Sequence, residues 1–275
     1  MGRSSAKTPA TLSMTQPLPN TGCLYEQTKA YEQTSPMSNQ NCPHNNAISC
    51  GECRMKSLCL PLALEIEDVD KLDNIVQRGR PYQKDEYIYR SGDEFYSVYA
   101  VRSGAIKAFT VNDEGIEQVT GFYLPGEVFG MDGIAHTNHV SSAMSLETSS
   151  VCEIPFHRLE ELSIALPTLQ RHFFQLMSKE ITNDQHLLTL LSKNSAEERV
   201  ATLLISISAR NAQRNLSGIR FRLPMSRADI GNYLGLTVET VSRVLSRFQK
   251  QNLLKVDKKE IEILDIDGLQ ELANI

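Results

Sequence analysis

Residues 226–250, SRADIGNYLGLTVETVSRVLSRFQK, contain the pattern that decides the C-terminal fold. Ser226 followed three positions later by Asp229 is typical of a helix N-cap with an acidic partner in the first turn. Gly235-Leu236 is then predicted to make a turn, and Thr237 is placed to cap a second helix. Two short helices joined in this way indicate a helix-turn-helix.

The second of these helices is predicted to have one apolar and one polar face. The apolar stripe comprises Val238, Val241, Leu245 and Phe248. The residues expected to bind DNA are Thr237, Glu239, Ser242, Arg243 and Arg247, with Lys250 beside them. Arginine can donate two hydrogen bonds to guanine and glutamate can accept one from cytosine, whereas Arg247 and Lys250 suit phosphates. The alternative is a solvated face with an ion pair between Glu239 and Arg243. Residues 254–264 alternate as a β-hairpin, which would be the wing of a winged helix.

Upstream of this unit, residues 157–193 have helical periodicity. One line of residues at alternating spacings of three and four is typical of a coiled-coil seam: Phe174, Met177, Ile181, Asp184, Leu188 and Leu191. We predict that this seam joins two copies of the chain, although the helix could instead pack only on its own domain. Asp184 would meet its own copy across the two-fold axis, and this repulsion would leave the dimer marginal.

Residues 80–156 instead contain short alternating runs separated by Gly, Pro, Asp and Ser turns. This pattern predicts an antiparallel sandwich or roll. The expected fold class is α+β, with an N-terminal antiparallel β-roll, a long dimerisation helix and a C-terminal winged helix-turn-helix. The predicted units are a disordered tail (1–49), a cysteine segment (50–61), the roll (62–164, beginning with a helix over 62–78), the dimerisation helix (165–193) and the DNA-binding domain (194–275).

Four of the six cysteines form the candidate metal site. Cys50, Cys53 and Cys59 have the spacing C-x2-C-x5-C, and Cys152 lies in the last predicted strand. Clustered thiolates are soft ligands that suit iron–sulfur clusters or zinc, and their spacing does not choose between the two. Cys23 and Cys42 lie in the polar tail and are expected to be unligated.

Composition and charge limit the classes of function that are expected for the chain. The sequence shows no secretory signal and no apolar run near the roughly 18 residues that a membrane span needs. The expected location is therefore the cytoplasm, where clustered cysteines are more often metal ligands than disulfides. The net charge is −5, but residues 195–275 hold 12 Lys and Arg against 10 Asp and Glu. This small positive excess lies where DNA binding requires it. Six scattered histidines show no catalytic arrangement, so an enzyme is not expected.

Three stretches together resemble the CRP/FNR superfamily of bacterial regulators. They are the cysteine spacing with VCEIPF at 151–156, IGNYLGLTVETVSR at 230–243, and LLSK at 190–193 before AEER at 196–199. Within that superfamily the chain is similar to the FNR type, the oxygen-responsive fumarate–nitrate reduction regulators, including the Anr proteins. The resemblance covers roughly residues 50–270.

The resemblance implies a specific mechanism. Cys50, Cys53, Cys59 and Cys152 would hold a [4Fe–4S] cluster that is intact without oxygen. The protein would then form a homodimer on double-stranded DNA, reading palindromic TTGAT-type sites with Glu239, Ser242 and Arg243, contacting RNA polymerase and controlling genes of anaerobic metabolism. Cyclic-nucleotide binding is not expected, because the family's Glu and Arg are replaced by Met131 and Ser141. A zinc protein that binds DNA constitutively, a cyclic-nucleotide sensor and an enzyme are the competing interpretations.

Overall fold

The computed structural model describes residues 48–193 and 195–274. Its helices are α1 (Ile66–Asp73), α2 (Phe156–Ala165), α3 (Pro167–Lys193), α4 (Ala196–Gln213), α5 (Arg227–Leu234), α6 (Val238–Lys250) and α7 (Ile266–Ala273), with 3-10 turns at Leu60–Ala63 and Met131–Gly133. Its strands are β1 (Gln77–Arg78), β2 (Tyr87–Tyr89), β3 (Ser97–Ser103), β4 (Ile106–Val111), β5 (Glu117–Tyr123), β6 (Val128–Phe129), β7 (Ser142–Ser145), β8 (Ser150–Pro155), β9 (Arg220–Arg222), β10 (Leu254–Asp257) and β11 (Glu260–Ile263). Cys23, Cys42 and nearly all of the predicted disordered tail lie outside the described residues.

Strands β1 to β8 form the predicted roll. They make two four-stranded antiparallel sheets, in the orders β1-β8-β3-β6 and β2-β7-β4-β5. Buried residues from both sheets, including Val101, Ile106, Phe129 and Val151, pack together between them. The side chains that face this layer are removed from water. Strict alternation is not observed in every strand, since β4 is buried at four successive positions from Ile106 to Phe109.

The other face of the first sheet is covered by helices. Val98 and Ile154 of that sheet pack against Leu159 of α2, and against Leu169 and Phe173 of α3. Burying these aliphatic and aromatic side chains is the main favourable term that holds the long helix to the roll. The base of α3 is thereby fixed to the sheet that carries Cys152.

Two helix boundaries differ from the sequence-based expectation. The predicted helix over 62–78 is shorter, because α1 ends at Asp73 and the chain enters β1, whose Arg78 pairs with Cys152 of β8. The helical periodicity from residue 157 is also interrupted at Leu166, which has φ −125° and ψ 87°. A residue before proline is disfavoured in the helical conformation, and Pro167 then occupies the first position of α3.

The C-terminal domain is a winged helix-turn-helix, as predicted. Strands β9, β10 and β11 form a three-stranded antiparallel sheet in which Leu254 pairs with Ile263. Its core includes the buried Leu204, Leu234 and Phe248. No helix in the described ranges is both long and apolar enough to cross a membrane.

Candidate functional site

The four cysteines predicted as ligands line one cleft between the cysteine segment and the roll. Consecutive turns fold the segment back on itself: the Cys53 N–H donates to the carbonyl of Cys50 at 3.4 Å, and the Cys59 N–H to that of Met55 at 3.0 Å. Leu60, directly after the third cysteine, is 1% exposed and belongs to the core beneath α3. The segment is thus anchored at its end, while Cys152 is held by the pairing of β8 with β1 and β3.

The chemistry of this cleft suits a soft metal centre. Its described lining holds four thiols and no carboxylate or imidazole, while the Asp73 carboxylate lies next to it and accepts from the Cys50 N–H at 2.7 Å. Lys56, Arg78 and Arg102 also line it; Arg78 is paired with Asp73, so Lys56 and Arg102 are the cations that could offset part of the negative charge of four thiolates. No three His, Cys, Asp or Glu side chains of the described residues already have metal-binding geometry. The donor set therefore fits an iron–sulfur cluster or zinc, but the thiols share a cleft rather than a finished coordination shell.

Burial raises the pKa of three of these thiols, those of Cys50, Cys59 and Cys152. Loss of solvent raises the pKa of Cys50 to about 12, with a further contribution from its hydrogen bond to Asp73. Burial likewise raises the pKa of Cys59 to about 12, and it raises the pKa of Cys152. Arg78 bridges the site, because its Nη2 donates to Asp73 Oδ1 at 2.5 Å and to Cys50 Sγ at 3.3 Å.

The predicted seam is an exposed apolar stripe on α3. Phe174, Ile181 and Leu188 are 56%, 59% and 67% exposed, while Met177 and Leu191 are half-buried. Asp184 is exposed on the same line. Large apolar side chains at this exposure are unfavourable in water, so the stripe has the character of a surface that another protein covers.

A second carboxylate, not expected from the sequence, lies on α3 beside the seam. Glu180 accepts a hydrogen bond from the Tyr123 hydroxyl at 2.5 Å, which joins α3 to strand β5. Burial is the main reason that the pKa of Glu180 is raised, and neighbouring Asp184 adds to the increase. Burial also raises the pKa of Asp184. The two carboxyl groups lie one helical turn apart.

The helix-turn-helix has the caps and the turn inferred from the sequence. Ser226 accepts from the N–H of Asp229, whose carboxylate accepts from the N–H of Ser226 in return. Gly235 has φ +62°, the left-handed conformation that ends α5 and favours glycine. Thr237 then caps α6 by accepting from the N–H of Thr240 at 3.2 Å.

The polar face of α6 is open to solvent at most of the predicted reading positions. Thr237, Glu239, Arg243 and Arg247 are exposed, and Ser242 is half-buried. The first residue of the apolar stripe behaves differently from expectation, since Val238 is 42% exposed. It is the first residue of α6, and the buried positions are Val241, Val244, Leu245 and Phe248 instead.

Two arginines near the reading face have protein partners. Arg247 is paired with Glu197 of α4, so it must exchange that partner before it can contact a phosphate. Arg227 Nη1 donates to Ser242 Oγ at 3.2 Å. Arg243 makes only a long contact, at 3.4 Å, from Nε to the carbonyl of Glu239. Its guanidinium therefore remains the best placed of the three to reach a base.

Sequence reasoning missed the contacts between the roll and the DNA-binding domain. Asn232 of α5 donates to the carbonyl of Glu117 at 2.6 Å and accepts from the N–H of Val119 at 2.5 Å, so its side chain pairs with the edge strand β5. Lys107 of β4 lies 3.2 Å from Asp229 and 2.5 Å from Glu117. No local sequence pattern predicts either contact.

A second group of contacts joins the turn before β6 to α4. Glu127 Oε1 accepts from Arg210 Nε at 2.8 Å and from Arg214 Nη2 at 2.5 Å. The same turn touches the cysteine segment, since a Cβ added at Gly126 would come within 3.0 Å of Leu58 Cβ. Arg210 and Arg214, four residues apart at the C-terminal end of α4, were the local sequence feature that could have indicated this cluster.

Comparison with known proteins gives consistent similarities. A Crp-like helix-turn-helix domain model matches residues 198–272, and a cyclic nucleotide-binding domain model matches residues 79–164. The transcriptional activator protein FnrA of Stutzerimonas stutzeri is 55% identical over 224 residues, covering 82% of this chain and 92% of that protein. The fumarate and nitrate reduction regulatory protein of Escherichia coli is 50% identical over 227 residues, covering 82% and 91%.

A solved structure is similar as well. FixK2 from Bradyrhizobium japonicum superimposes with a TM-score of 0.67 at 32% sequence identity, covering 72% of this chain and 97% of that one. The similarity therefore includes the arrangement of the chain in space as well as its sequence.

Proposed function

This chain belongs to the FNR type of the CRP/FNR family and is a transcription regulator, and we propose that oxygen controls it through a [4Fe–4S] cluster. Cys50, Cys53, Cys59 and Cys152 would hold the cluster. As a homodimer the protein would bind palindromic TTGAT-type sites and act with RNA polymerase, in the cytoplasm, on genes of anaerobic metabolism. It would need no cyclic nucleotide.

The observation that carries this proposal is the composition of the cysteine cleft. Thiols from two distant parts of the chain meet there beside three cations, without an oxygen or nitrogen ligand in the described lining. When bound, the cluster would supply an oxygen-labile link between the cysteine segment and the roll. Because burial raises the pKa of Cys50, Cys59 and Cys152, a bound cationic centre would favour the deprotonated form of these three thiols at neutral pH.

The packing supports a route from this link to the long helix. Leu60, one residue after Cys59, is buried with Leu169 and Phe173 of α3. A shift of Cys59 by even part of an ångström would disturb that contact, because close-packed cores do not deform smoothly. The position of Cys59 would thereby bias the base of the helix that carries the seam.

If the dimer is only marginally stable, a small change at the base of α3 would be enough to control dimerisation. The seam contributes Phe174, Ile181 and Leu188 as exposed apolar surface, which favours association. Asp184 on the same line opposes it through repulsion across the two-fold axis. When these terms nearly cancel, a change of a few kcal/mol at the base of α3 shifts most of the population between monomer and dimer.

DNA reading would follow from dimerisation. Two copies of α6 would lie in successive major grooves about one helical turn apart, as in other dimeric helix-turn-helix proteins. Arg243 would donate to guanine, Glu239 would accept from cytosine, and Ser242 would contact the groove floor. Arg247 and Thr237 would then hold the backbone phosphates.

The test is anaerobic purification with iron and sulfide analysis, followed by DNA-binding measurements before and after exposure to air. We expect a brown protein with about four iron and four sulfide per chain that loses specific binding in air. Cys152→Ser should abolish iron binding, whereas Cys42→Ser, outside the proposed ligand set, should retain it. A colourless protein whose DNA binding is unchanged by air would contradict the oxygen-sensor proposal and indicate zinc.

A further inference from the structure

The connection between β6 and β7 contains a carboxylate held by converging donors. Asp132 Oδ2 accepts from the Val140 N–H at 3.0 Å, the Ser141 N–H at 2.8 Å and the Ser141 hydroxyl at 2.8 Å. Its Oδ1 lies 2.9 Å from His139 Nδ1. Asp132 is partly covered, and the side chain of His139 is 1% exposed.

This arrangement is a small anion site that the chain fills itself. Burial alone would raise the pKa of Asp132, but hydrogen bonds from His139 and Ser141 outweigh that effect and hold the pKa below its usual range. Hydrogen bonds to an ionised carboxylate are about twice as strong as neutral ones. Without Asp132, these donors would have to be satisfied by water or by another anion.

The site lies at the two positions where this chain lacks the groups that hold a cyclic nucleotide. By the resemblance described under Sequence analysis, Met131 and Ser141 are the approximate matches of the ribose-binding glutamate and the phosphate-binding arginine of the nucleotide-binding relatives. Asp132 is the neighbour of the first and is bound to the second. The domain match over residues 79–164 includes both positions.

Aromatic packing supports this connection from inside the roll. His139 stacks on Tyr89 with ring centroids 3.7 Å apart and meets Phe95 edge-on at 5.3 Å. Gly130 has φ +79°, and a Cβ there would come within 3.0 Å of Tyr99. The connection is therefore tightly fitted around the carboxylate and its imidazole partner.

We propose that Asp132 is a resident anion that replaces an external nucleotide phosphate and keeps this connection folded without any ligand. The cradle is selective for a small oxyanion, because its donors are two backbone N–H groups, one hydroxyl and one imidazole nitrogen. Asp132 and its donors are not part of the cysteine cleft. The proposed role of Asp132 can therefore be tested independently of the oxygen response.

The test uses three variants, Asp132→Ala, Asp132→Asn and the exposed control Asp113→Ala, with acetate as the probe anion. Losing the charged hydrogen bonds should raise the unfolding equilibrium constant of both Asp132 variants roughly tenfold to a hundredfold. Acetate, compared with chloride at equal ionic strength, should raise the melting temperature of Asp132→Ala in a saturable way. It should leave Asp132→Asn unchanged, because the amide still fills the cradle, and it should leave Asp113→Ala unchanged.

The proposal would be overturned if acetate changed the melting temperature of all three variants equally. It would also be overturned if Asp132→Ala were as stable as the wild type. If Asp132→Ala yields no folded protein, the stability of Asp132→Asn alone tests the proposal. Its amide cannot accept from all four donors, so a urea midpoint equal to that of the wild type would contradict a resident anion. Calorimetric titration of the wild type with cyclic AMP should give no binding, and micromolar binding would likewise refute it.

Discussion

Replacing Glu127 with Gln tests how firmly the roll is joined to the DNA-binding domain. The change keeps the shape of the side chain and its contact with the Leu124 N–H, which donates to Oε2 at 2.9 Å. It removes the counter-charge of Arg214, whose side chain is 3% exposed, and of Arg210. Breaking one partner of a fully buried pair costs about 3–5 kcal/mol. Because the side chains of Glu127 and Arg210 keep 25% and 22% exposure, we expect a loss of about 2–4 kcal/mol.

The effect should depend on pH in a defined direction. Burial alone would raise the pKa of Glu127, but its attraction to Arg210 and Arg214 outweighs burial and lowers it. A carboxylate with a lowered folded-state pKa stabilises the fold above its unfolded pKa and loses this contribution as pH falls through the folded value. The difference between wild type and Glu127→Gln should therefore be full at pH 7 and shrink below about pH 4.

Urea denaturation of the cluster-free protein at pH 7, followed by circular dichroism, measures this difference. Glu262→Gln is the matched control, since Glu262 pairs with Arg220 at the surface and should cost less than about 1 kcal/mol. Arg214→Met, alone and combined with Glu127→Gln, isolates the coupling energy of the pair. A loss in Glu127→Gln no larger than in Glu262→Gln would refute the view that this cluster couples the two domains.

Three further predictions concern the seam and the reading helix. Asp184→Ala should strengthen dimerisation of the cluster-free protein by about 1–2 kcal/mol in sedimentation experiments, with Asp113→Ala as control, and an unchanged distribution would contradict the repulsion. Lowering the pH should also favour the wild-type dimer and should do so at a higher pH than for ordinary carboxylates, because burial raises the pKa of Glu180 and of Asp184 and protonation removes their charge; Asp184→Ala should respond less. Arg243→Lys should weaken binding to the specific site by about 1–3 kcal/mol and relax its guanine preference, whereas Lys250→Ala should weaken all sequences alike; uniform weakening by both would argue against base reading by Arg243.

Elements with local signals were predicted well. The cap at Ser226, the turn at Gly235 and the cap at Thr237 each depend on a few neighbouring residues, and all three are present. The break at Pro167 also had a local signal, but the helical periodicity on both sides of it concealed the boundary. The end of α1 had none, because β1 forms only when its partner β8 is in place.

Candidate site residues were predictable to different degrees. The cysteine spacing identified the thiols, and the structure brings all four to one cleft, while their role as cluster ligands stays a prediction. The involvement of Arg247 with Glu197 was not foreseen, nor was the pairing of Asn232 with β5. These partners are far apart in sequence, so no periodicity or motif links them.

Amino-acid patterns alone were enough for the α+β fold class, the helix-turn-helix with its wing and the apolar stripe on the long helix, and the resemblance of three motifs was enough for the family of the chain. These features arise from interactions within a few residues, or from motifs that keep their spacing. Packing between distant segments decided which surfaces meet: the cysteine segment with the roll, Glu127 with α4, and Asp132 with its four donors. Such contacts form only when the hydrophobic cores bring complementary polar groups together, and their energies depend on burial that no local sequence specifies.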